Sequence, residues 1–381
     1  MNPADQVMRL FVTLGAIALI AVILWEAFET IVLPRRVTRL WRLSRFFYRL
    51  TWTIWKWTAR RIGSRARREA LLAVYGPLSL LLLLGLWAAG LVFGFGVLHW
   101  SLGSPMHAPG GAPSFGIDIY MSGTTFFTLG LGDVTPRGAL ARALTVLESG
   151  VGFGFLALVI GYFPVLYNAF SRREVSITLL DPRAGSPPTV SELLRRHGRD
   201  HLHHLDQFLN EWERWTAELM ESHLSYPVLA YFRSQHANQS WLGAVTTVLD
   251  VCALLMAGAA APLWQARITF AMARHAVVDL SRVFRLQPRP PSRDRLPPSD
   301  LAILLTSLTE AGRQPADAET AGKRLAELRR TYEPYVNALA EHLLIPLPAW
   351  TSEPGSKMHD KAAPESAGLC TAVTTMMQSD E

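Results

Sequence analysis

The sequence predicts an all-α membrane protein in which three membrane-spanning helices are followed by a helical domain outside the bilayer. Three long apolar segments lie within the first 170 residues, a basic block separates the first two, and the composition becomes water-soluble after Arg173. The chain has 381 residues, of which 50% are hydrophobic, so disorder is excluded for most of its length. Its two cysteines, Cys252 and Cys370, exclude a disulfide scaffold.

The three apolar segments have the length and composition of transmembrane helices. They are residues 10–25, 71–100 and 143–170. Since a helix needs about 20 mostly apolar residues to cross a bilayer, the second and third segments are long enough by themselves. The first is long enough if Glu26 and Glu29 lie at its interfacial end. We therefore expect an N-terminal transmembrane helix within residues 1–33, and its flanks favour an uncleaved anchor over a signal peptide.

The formal net charge of +6 comes from one short segment. Residues 34–70 contain twelve Lys or Arg and one acid, Glu69. Because positive juxtamembrane segments stay in the cytoplasm, this block predicts an external N-terminus and a cytoplasmic C-terminal half. The expected location is the plasma or inner membrane, as a multi-pass protein. A surplus confined to one segment also argues against a nucleic-acid partner.

Arginines recur at every third position within this basic segment, at Arg36, Arg39, Arg42 and Arg45. Voltage-sensor helices have similar spacing, but a spanning helix would bury these side chains at about 2.5–3.5 kcal/mol each. The segment is also rich in tryptophan, which prefers the headgroup zone. We therefore predict an amphipathic helix that lies on anionic lipid headgroups within residues 34–70, with a voltage sensor as the alternative.

The loop between the second and third segments carries the motif T-L-G-L-G-D-x-x-P, which comprises Thr128, Leu129, Gly130, Leu131, Gly132, Asp133 and Pro136. It resembles the filter signature T-V-G-Y-G-D, followed by a proline, of the two-transmembrane pore-loop potassium-channel family, bacterial-like in type. Four of the six filter letters match. The resemblance covers about residues 71–170. It implies a pore-loop channel in which four identical subunits each contribute residues 128–133 to a selectivity filter for K⁺.

The chemistry of a cation filter explains this spacing. A dehydrated cation needs a ring of oxygens in place of its water, and backbone carbonyls from four copies of an extended strand supply that ring. Successive carbonyls point inwards only if the backbone alternates in hand, which Gly130 and Gly132 permit without steric cost. Residues 117–127 can form a pore helix whose negative end points towards the cavity. The permeant K⁺ is the expected ligand, and no cofactor is expected.

Two departures from the family pattern bear on selectivity. Leu131 has no phenol with which to bond the pore helix, and Tyr120-Met121 stands where many members have an aromatic pair. Both changes are expected to loosen the structure that holds the filter at its diameter. A non-selective cation channel on the same scaffold is therefore the first alternative.

The third apolar segment is expected to be the pore-lining inner helix. Counted forward from the filter aspartate, the family's hinge glycine corresponds to Gly152, and Gly161 and Pro164 would let the lower helix bend. These three residues are the predicted gating hinge. Glu148 is an intramembrane carboxylate and hence a functional candidate, which faces either the back of the filter or the cavity.

The C-terminal half is expected to be helical. The predicted parts are a linker over 171–188 with an extended piece at 175–180, a helical domain over 189–287 whose first helix covers 190–222, a Pro-rich linker over 288–298, a helical hairpin over 299–345 and a disordered tail over 346–381. The apolar segment 241–263 contains Asp250 and lacks basic flanks until Arg267. A buried helix is therefore favoured there over a fourth span.

Three histidines, His197, His201 and His204, share one face of the predicted 190–222 helix. Such spacing suits zinc binding or pH sensing, but the neighbouring arginines favour a solvated face, and no metal is expected. The chain has no phosphate loop, dinucleotide glycine pattern or nucleophile motif, so it is not expected to be an enzyme. The ligand of the C-terminal half is left open. A non-conducting receptor or sensor that acts through its cytoplasmic helices is the remaining alternative.

Overall fold

The computed structural model describes residues 3–33, 42–108, 114–197, 202–236, 238–258, 264–291, 294–310 and 317–351. The helices of the membrane region are α1 (Pro3–Ala27, continued by a π-helical turn over Phe28–Val32), α2 (Leu43–Arg61), α3 (Arg65–Ser101), α4 (Phe115–Phe126) and α5 (Ala139–Ala184). The later helices are α6 (Val190–His197), α7 (Leu202–Ser225), a 3-10 turn (Pro227–Tyr231), α8 (Trp241–Gly258), α9 (Trp264–Val283), α10 (Pro298–Glu310), α11 (Ala318–Arg330) and α12 (Glu333–Leu343). We call α6–α12 together with the segment up to Thr351 the C-terminal domain.

Among the described residues, the β-structure is limited to two short strands. They are β1 (Met106–His107) and β2 (Thr135–Pro136), which pair antiparallel on either side of the pore loop. The rest of the described regular structure is helical. The predicted all-α membrane fold is confirmed.

Four described helices are long and apolar enough to cross a membrane, and these are α1 with its π-helical turn, α3, α5 and α8. The first three contain the predicted spans. In α8, 94% of the apolar window is buried inside the protein, so this helix has almost no surface left for lipid. Its Asp250 accepts two hydrogen bonds from Arg295, at 2.8 and 3.0 Å, and one from Tyr332. The favoured interpretation of a buried helix thus agrees with the structure.

The main apolar cluster of the membrane region is centred on α3. One side of α3 packs on α1, and α4 packs between α3 and α5. Buried residues of this cluster include Ile20 and Ile23 of α1, Leu91 and Phe95 of α3, and Phe126 at the end of α4. The pore helix α4 is therefore held by both neighbouring long helices.

Helix α5 continues well beyond the predicted inner span. We expected an extended piece at 175–180 and a linker over 171–188, but the helix runs to Ala184. The expectation was wrong because Arg173, Ile177, Leu180 and Ala184 are buried at helical spacing against the C-terminal domain. Tertiary packing thus stabilises a helix that the local sequence does not predict.

The C-terminal domain has one hydrophobic core. Residues of α8 and α9 form its centre, and Leu304, Leu325 and Leu339 belong to the same buried cluster. The predicted division into a helical domain, a linker and a hairpin is therefore corrected, because both predicted units share this core. Leu296, within the predicted linker 288–298, is also buried in it.

One further prediction about the C-terminal half needs correction and one stays open. The predicted helix 190–222 is described in two parts, α6 and α7, and its continuity stays a prediction because residues 198–201 lie outside the described residues. The predicted tail begins too early, since Trp350 is fully buried and its carbonyl accepts a hydrogen bond from the Ser191 amide. Trp350 packs in the core because burial of its large apolar ring is favourable. Residues 352–381 of the predicted tail lie outside the described residues.

The described part of the basic segment folds into α2 and the start of α3. Helix α2 exposes an apolar stripe at Leu43, Phe46, Leu50, Ile54 and Trp57. Its opposite side packs on the protein, where the Nε1 of Trp52 donates to the His342 carbonyl oxygen at 3.0 Å. Trp52 is thus a core residue and not a headgroup contact, because its ring packs between tyrosines. Arg36 and Arg39 lie outside the described residues.

Candidate functional site

The filter segment follows α4 directly and has the alternating backbone that the motif predicts. Thr128, Gly130 and Gly132 have positive φ angles of 56°, 57° and 79°, whereas Leu129 and Leu131 between them do not. A positive φ is rare for a β-branched residue such as threonine, so this conformation is imposed by its surroundings. The Leu129 amide donates to the Thr124 carbonyl oxygen at 2.8 Å and ties the filter to the end of the pore helix. Carbonyl groups of successive residues point to the same side of a strand only if the φ angles alternate in sign along it.

Tyr120, which departs from the aromatic pair of the family pattern, contacts the outer end of the filter segment. The Tyr120 hydroxyl on α4 donates to the Asp133 carboxylate at 2.9 Å. A second oxygen of Asp133 accepts the Val134 amide at 3.0 Å. The neighbouring Met121 is buried against Met106 and Val134. Tyr120 therefore links the pore helix to the filter, although it is not part of an aromatic pair.

Glu148 lies behind the pore helix and is completely buried. One carboxylate oxygen contacts the Ser122 hydroxyl on α4, and the other lies 3.5 Å from Nε2 of His99 on α3. The Ser122 hydroxyl also lies 2.7 Å from the Val92 carbonyl oxygen. Glu148 thus joins α5 to α3 and α4, and its contacts are with α3 and the pore helix and not with residues 128–133. Whether it acts on the filter or on the cavity stays a prediction.

The predicted hinge residues lie in different surroundings. A Cβ atom at Gly152 would stand 2.0 Å from the Phe126 carbonyl oxygen, at the end of the pore helix. By contrast, a Cβ at Gly161 meets no atom within 4 Å, and Pro164 lies inside the same helix α5. Gly152 thus permits close packing against α4 in this conformation. A role of these residues as a gating hinge stays a prediction.

The histidine face cannot be described as a site. His201 lies outside the described residues, and the side chains of His197 and His204 are not among those described. Within the described ranges, no group of three or more His, Cys, Asp or Glu side chains could hold a metal ion.

Arg173 has a structural role that its position at the end of the third apolar segment does not predict. Its guanidinium is buried and donates to the carbonyl oxygens of Leu229 and Phe232, both at 2.9 Å, and also contacts Glu174. It therefore fixes the end of the third apolar segment to the turn that follows α7. A basic residue after an apolar run predicts membrane topology. The neighbouring sequence does not show whether such a residue will be buried by a segment that is distant in the chain.

Glu26 is a second such residue. Its two carboxylate oxygens accept the backbone amides of Leu43 and Ser44, at 3.1 and 3.2 Å, and so cap the N-terminus of α2. Its side chain is buried, which its position at the end of an apolar run does not predict. The capping carboxylate lies on α1, so no capping pattern in the local sequence could reveal it.

Comparison with known proteins agrees with this geometry. A family model described as an ion channel matches residues 82–167. An uncharacterized membrane protein of Bacillus subtilis (strain 168), YdjJ, is 28% identical over 200 residues, which cover 52% of this chain and 57% of that protein. The chain thus spans little more than half the length of that relative. No solved structure matches the chain. The predicted resemblance to two-transmembrane ion channels, limited to the region from α3 to α5, is confirmed.

Proposed function

We propose that this chain is one subunit of a homotetrameric cation channel that conducts K⁺ through a filter of backbone carbonyls. The observation that carries this proposal is the alternating backbone at Thr128, Gly130 and Gly132, directly after a pore helix. The match of residues 82–167 to ion channels supports it independently. In this proposal no cofactor takes part, the chain is not an enzyme, and the permeant ion is its only ligand in the filter.

The tetramer is proposed because one subunit leaves apolar filter side chains uncovered. Phe127, Leu129 and Leu131 are 60%, 62% and 63% exposed. Such side chains next to a row of carbonyls need a cover, and three further copies around one axis would supply it. The same arrangement would close the ring of oxygens around the ion. Gating would follow from bending of α5 near Gly161 and Pro164.

The orientation of the chain in the membrane is also a proposal. The basic residues of segment 34–70 favour the cytoplasmic side of a plasma or inner membrane, with the N-terminus outside and the C-terminal domain in the cytoplasm. The exposed apolar stripe of α2 supports an in-plane position on anionic headgroups. A cysteine at Arg60 in a Cys370→Ser background tests this orientation. Labelling of that cysteine by an impermeant reagent in intact cells would contradict it.

Ion conduction can be tested by flux through reconstituted protein. Purified protein in liposomes loaded with KCl should take up radioactive Rb⁺ from outside. Gly130→Ala should abolish uptake, because alanine at a positive φ costs about 1–2 kcal/mol and distorts the carbonyl row. Gly85→Ala is the matched control, since a Cβ there meets no atom within 4 Å. Equal uptake by wild type and Gly130→Ala would remove the channel proposal.

A non-selective cation channel is the second candidate, and Leu131 is the observation that favours it. Its side chain cannot donate a hydrogen bond to the pore helix of a neighbouring subunit. Equal competition of Na⁺ and K⁺ with Rb⁺ uptake would select this candidate. Leu131→Tyr should then increase the preference for K⁺. Absence of any flux in the wild type would instead favour a non-conducting receptor.

A further inference from the structure

A cavity of about 340 Å³ lies where the membrane region meets the C-terminal domain. Its walls come from the end of α1, from α2, from the middle of α3, from Tyr162 of α5 and from three segments of the C-terminal domain. Its volume is at the lower end of the range of about 300 to 1,000 Å³ found for small-molecule sites. None of the filter residues 128–133 belongs to the described lining of this cavity.

One side of the cavity is strongly basic. Among the described residues, the ionisable groups on its wall, apart from His342 and the tyrosines, are Arg42, Arg45, Arg49, Lys56, Arg285 and Glu29. Arg42 lies 3.8 Å from Glu29, whereas Arg49 and Arg285 form no ion pair with any described residue. Burial and the like charges of Arg285, Arg42 and Arg49 lower the pKa of Arg45. An anion in the cavity would relieve this repulsion.

The opposite side of the cavity is apolar and lies at membrane depth. It is formed by Leu80, Leu83, Leu84 and Trp87 of α3. Counting back about 20 residues from Trp100, the length that crosses a bilayer core, leads to Leu80. The wall therefore begins near the boundary between hydrocarbon and headgroups and extends about 10 Å into the hydrocarbon, as far as Trp87. The basic wall and the apolar wall together suit a ligand with an anionic head and an apolar chain.

Trp87 is an independent indication that this cavity is a ligand site. Its side chain is 2% exposed, and its indole Nε1 has no hydrogen-bond partner among the described residues. A buried indole N–H normally finds an acceptor, because leaving a donor unpaired costs about 1–3 kcal/mol. An ester carbonyl or phosphate oxygen in the cavity would supply that acceptor.

We propose that this cavity binds one anionic phospholipid, with its phosphate among Arg45, Arg49 and Arg285 and the first part of an acyl chain along Leu80, Leu83 and Leu84. Bound there, the lipid contacts α2, α3 and the end of α9 at once. It therefore joins the C-terminal domain to the membrane region. This site differs from a general attraction of α2 to the membrane surface, because Arg285 and Trp87 lie outside the basic segment.

Lipid titration of the purified full chain, followed by native mass spectrometry, tests the proposal. Protein in a neutral detergent is titrated with phosphatidylglycerol, with phosphatidylcholine of the same chains and with glycerol phosphate. We expect phosphatidylglycerol to bind most tightly, and Arg49→Gln and Arg285→Gln each to weaken it about fivefold, the effect of about 1 kcal/mol per basic residue. Trp87→Phe should weaken it as well.

Arg60→Gln is the matched control, because Arg60 is an exposed residue of the same helix α2 outside the cavity. It should change the affinity less than twofold. An equal loss in Arg60→Gln and Arg49→Gln would overturn the proposal in favour of surface attraction. Equal binding of the two lipids would also overturn it, and glycerol phosphate that binds as tightly as phosphatidylglycerol would show that the apolar wall is not used. Unfolding curves establish that each variant is folded.

Discussion

Gly152→Ala tests how closely the inner helix must approach the pore helix. In the structure, a Cβ atom at this position would lie 2.0 Å from the Phe126 carbonyl oxygen, 2.8 Å from its carbonyl carbon and 2.9 Å from its Cα. All three are backbone atoms, so no side chain can rotate away. Atoms of this kind need a separation of more than 3 Å, and α5 and the end of α4 must therefore move apart by about 1 Å or more.

The expected cost follows from two opposing effects. Replacing a helical glycine with alanine favours the helix by about 1 kcal/mol, whereas forcing an extra carbon into a packed contact costs about 1–3 kcal/mol or more. Because the clash is with rigid backbone, the second effect should prevail. The displaced atoms belong to the residue two positions before Thr128, so the filter must shift with them. We expect both a lower unfolding temperature and a large loss of Rb⁺ flux.

Gly154→Ala is the matched control for this prediction. It lies two residues further along the same helix, and a Cβ there meets no atom within 4 Å. Thermal unfolding of the detergent-solubilised protein and Rb⁺ uptake in liposomes are measured for both variants. Unchanged unfolding and flux in Gly152→Ala would refute the packing argument. If Gly161→Ala alone lost flux, a hinge at that position would be supported.

Three further perturbations have defined outcomes. Tyr120→Phe removes the 2.9 Å hydrogen bond to Asp133 and should weaken discrimination between Rb⁺ and Na⁺, while the free energy of unfolding changes by no more than about 1 kcal/mol. Unchanged selectivity would contradict this. Arg295→Met leaves Asp250 as a buried unpaired charge and should cost about 3–5 kcal/mol in the free energy of unfolding, measured by denaturant titration. Burial, with a contribution from the charge of a nearby lysine, lowers the pKa of His342 to about 4 from its ordinary value of 6.5. The folded state therefore binds fewer protons than the unfolded state at acidic pH. The contribution of His342 to the free energy of unfolding should be fully present above pH 6.5 and fall by up to about 3 kcal/mol as the pH drops from 6.5 to 4. Denaturant titration of His342→Gln should lack this fall.

Much of the membrane region was predictable because its signals are local. An apolar run of sufficient length, a basic flank and the filter motif are each contained in consecutive residues. Glycine at 130 and 132 predicts positive φ angles by itself, and both angles are observed. The buried position of α8 could be inferred too, because Asp250 and the missing basic flanks argue against a span.

The predictions that failed depended on distant partners. Residues 175–180 are helical because Ile177 and Leu180 bury against the C-terminal domain, and Trp350 is ordered because it fills a site in the same core. Trp52 looks like a headgroup residue in sequence, yet its indole donates to the carbonyl of His342. In each example, the energy comes from a contact between residues far apart in the chain, which a pattern in neighbouring residues does not contain.

The sequence by itself determined the class of this protein, its three long apolar segments and the position of its filter motif, because bilayer thickness and backbone sterics constrain short segments directly. Only the tertiary structure decided that Glu148 lies behind the pore helix, that Gly152 touches Phe126 and that Arg173 fixes α5 to the C-terminal domain. It also brought Arg49, Arg285 and Trp87 to one cavity. These arrangements arise from packing between helices, and the free energy of such packing depends on which surfaces meet.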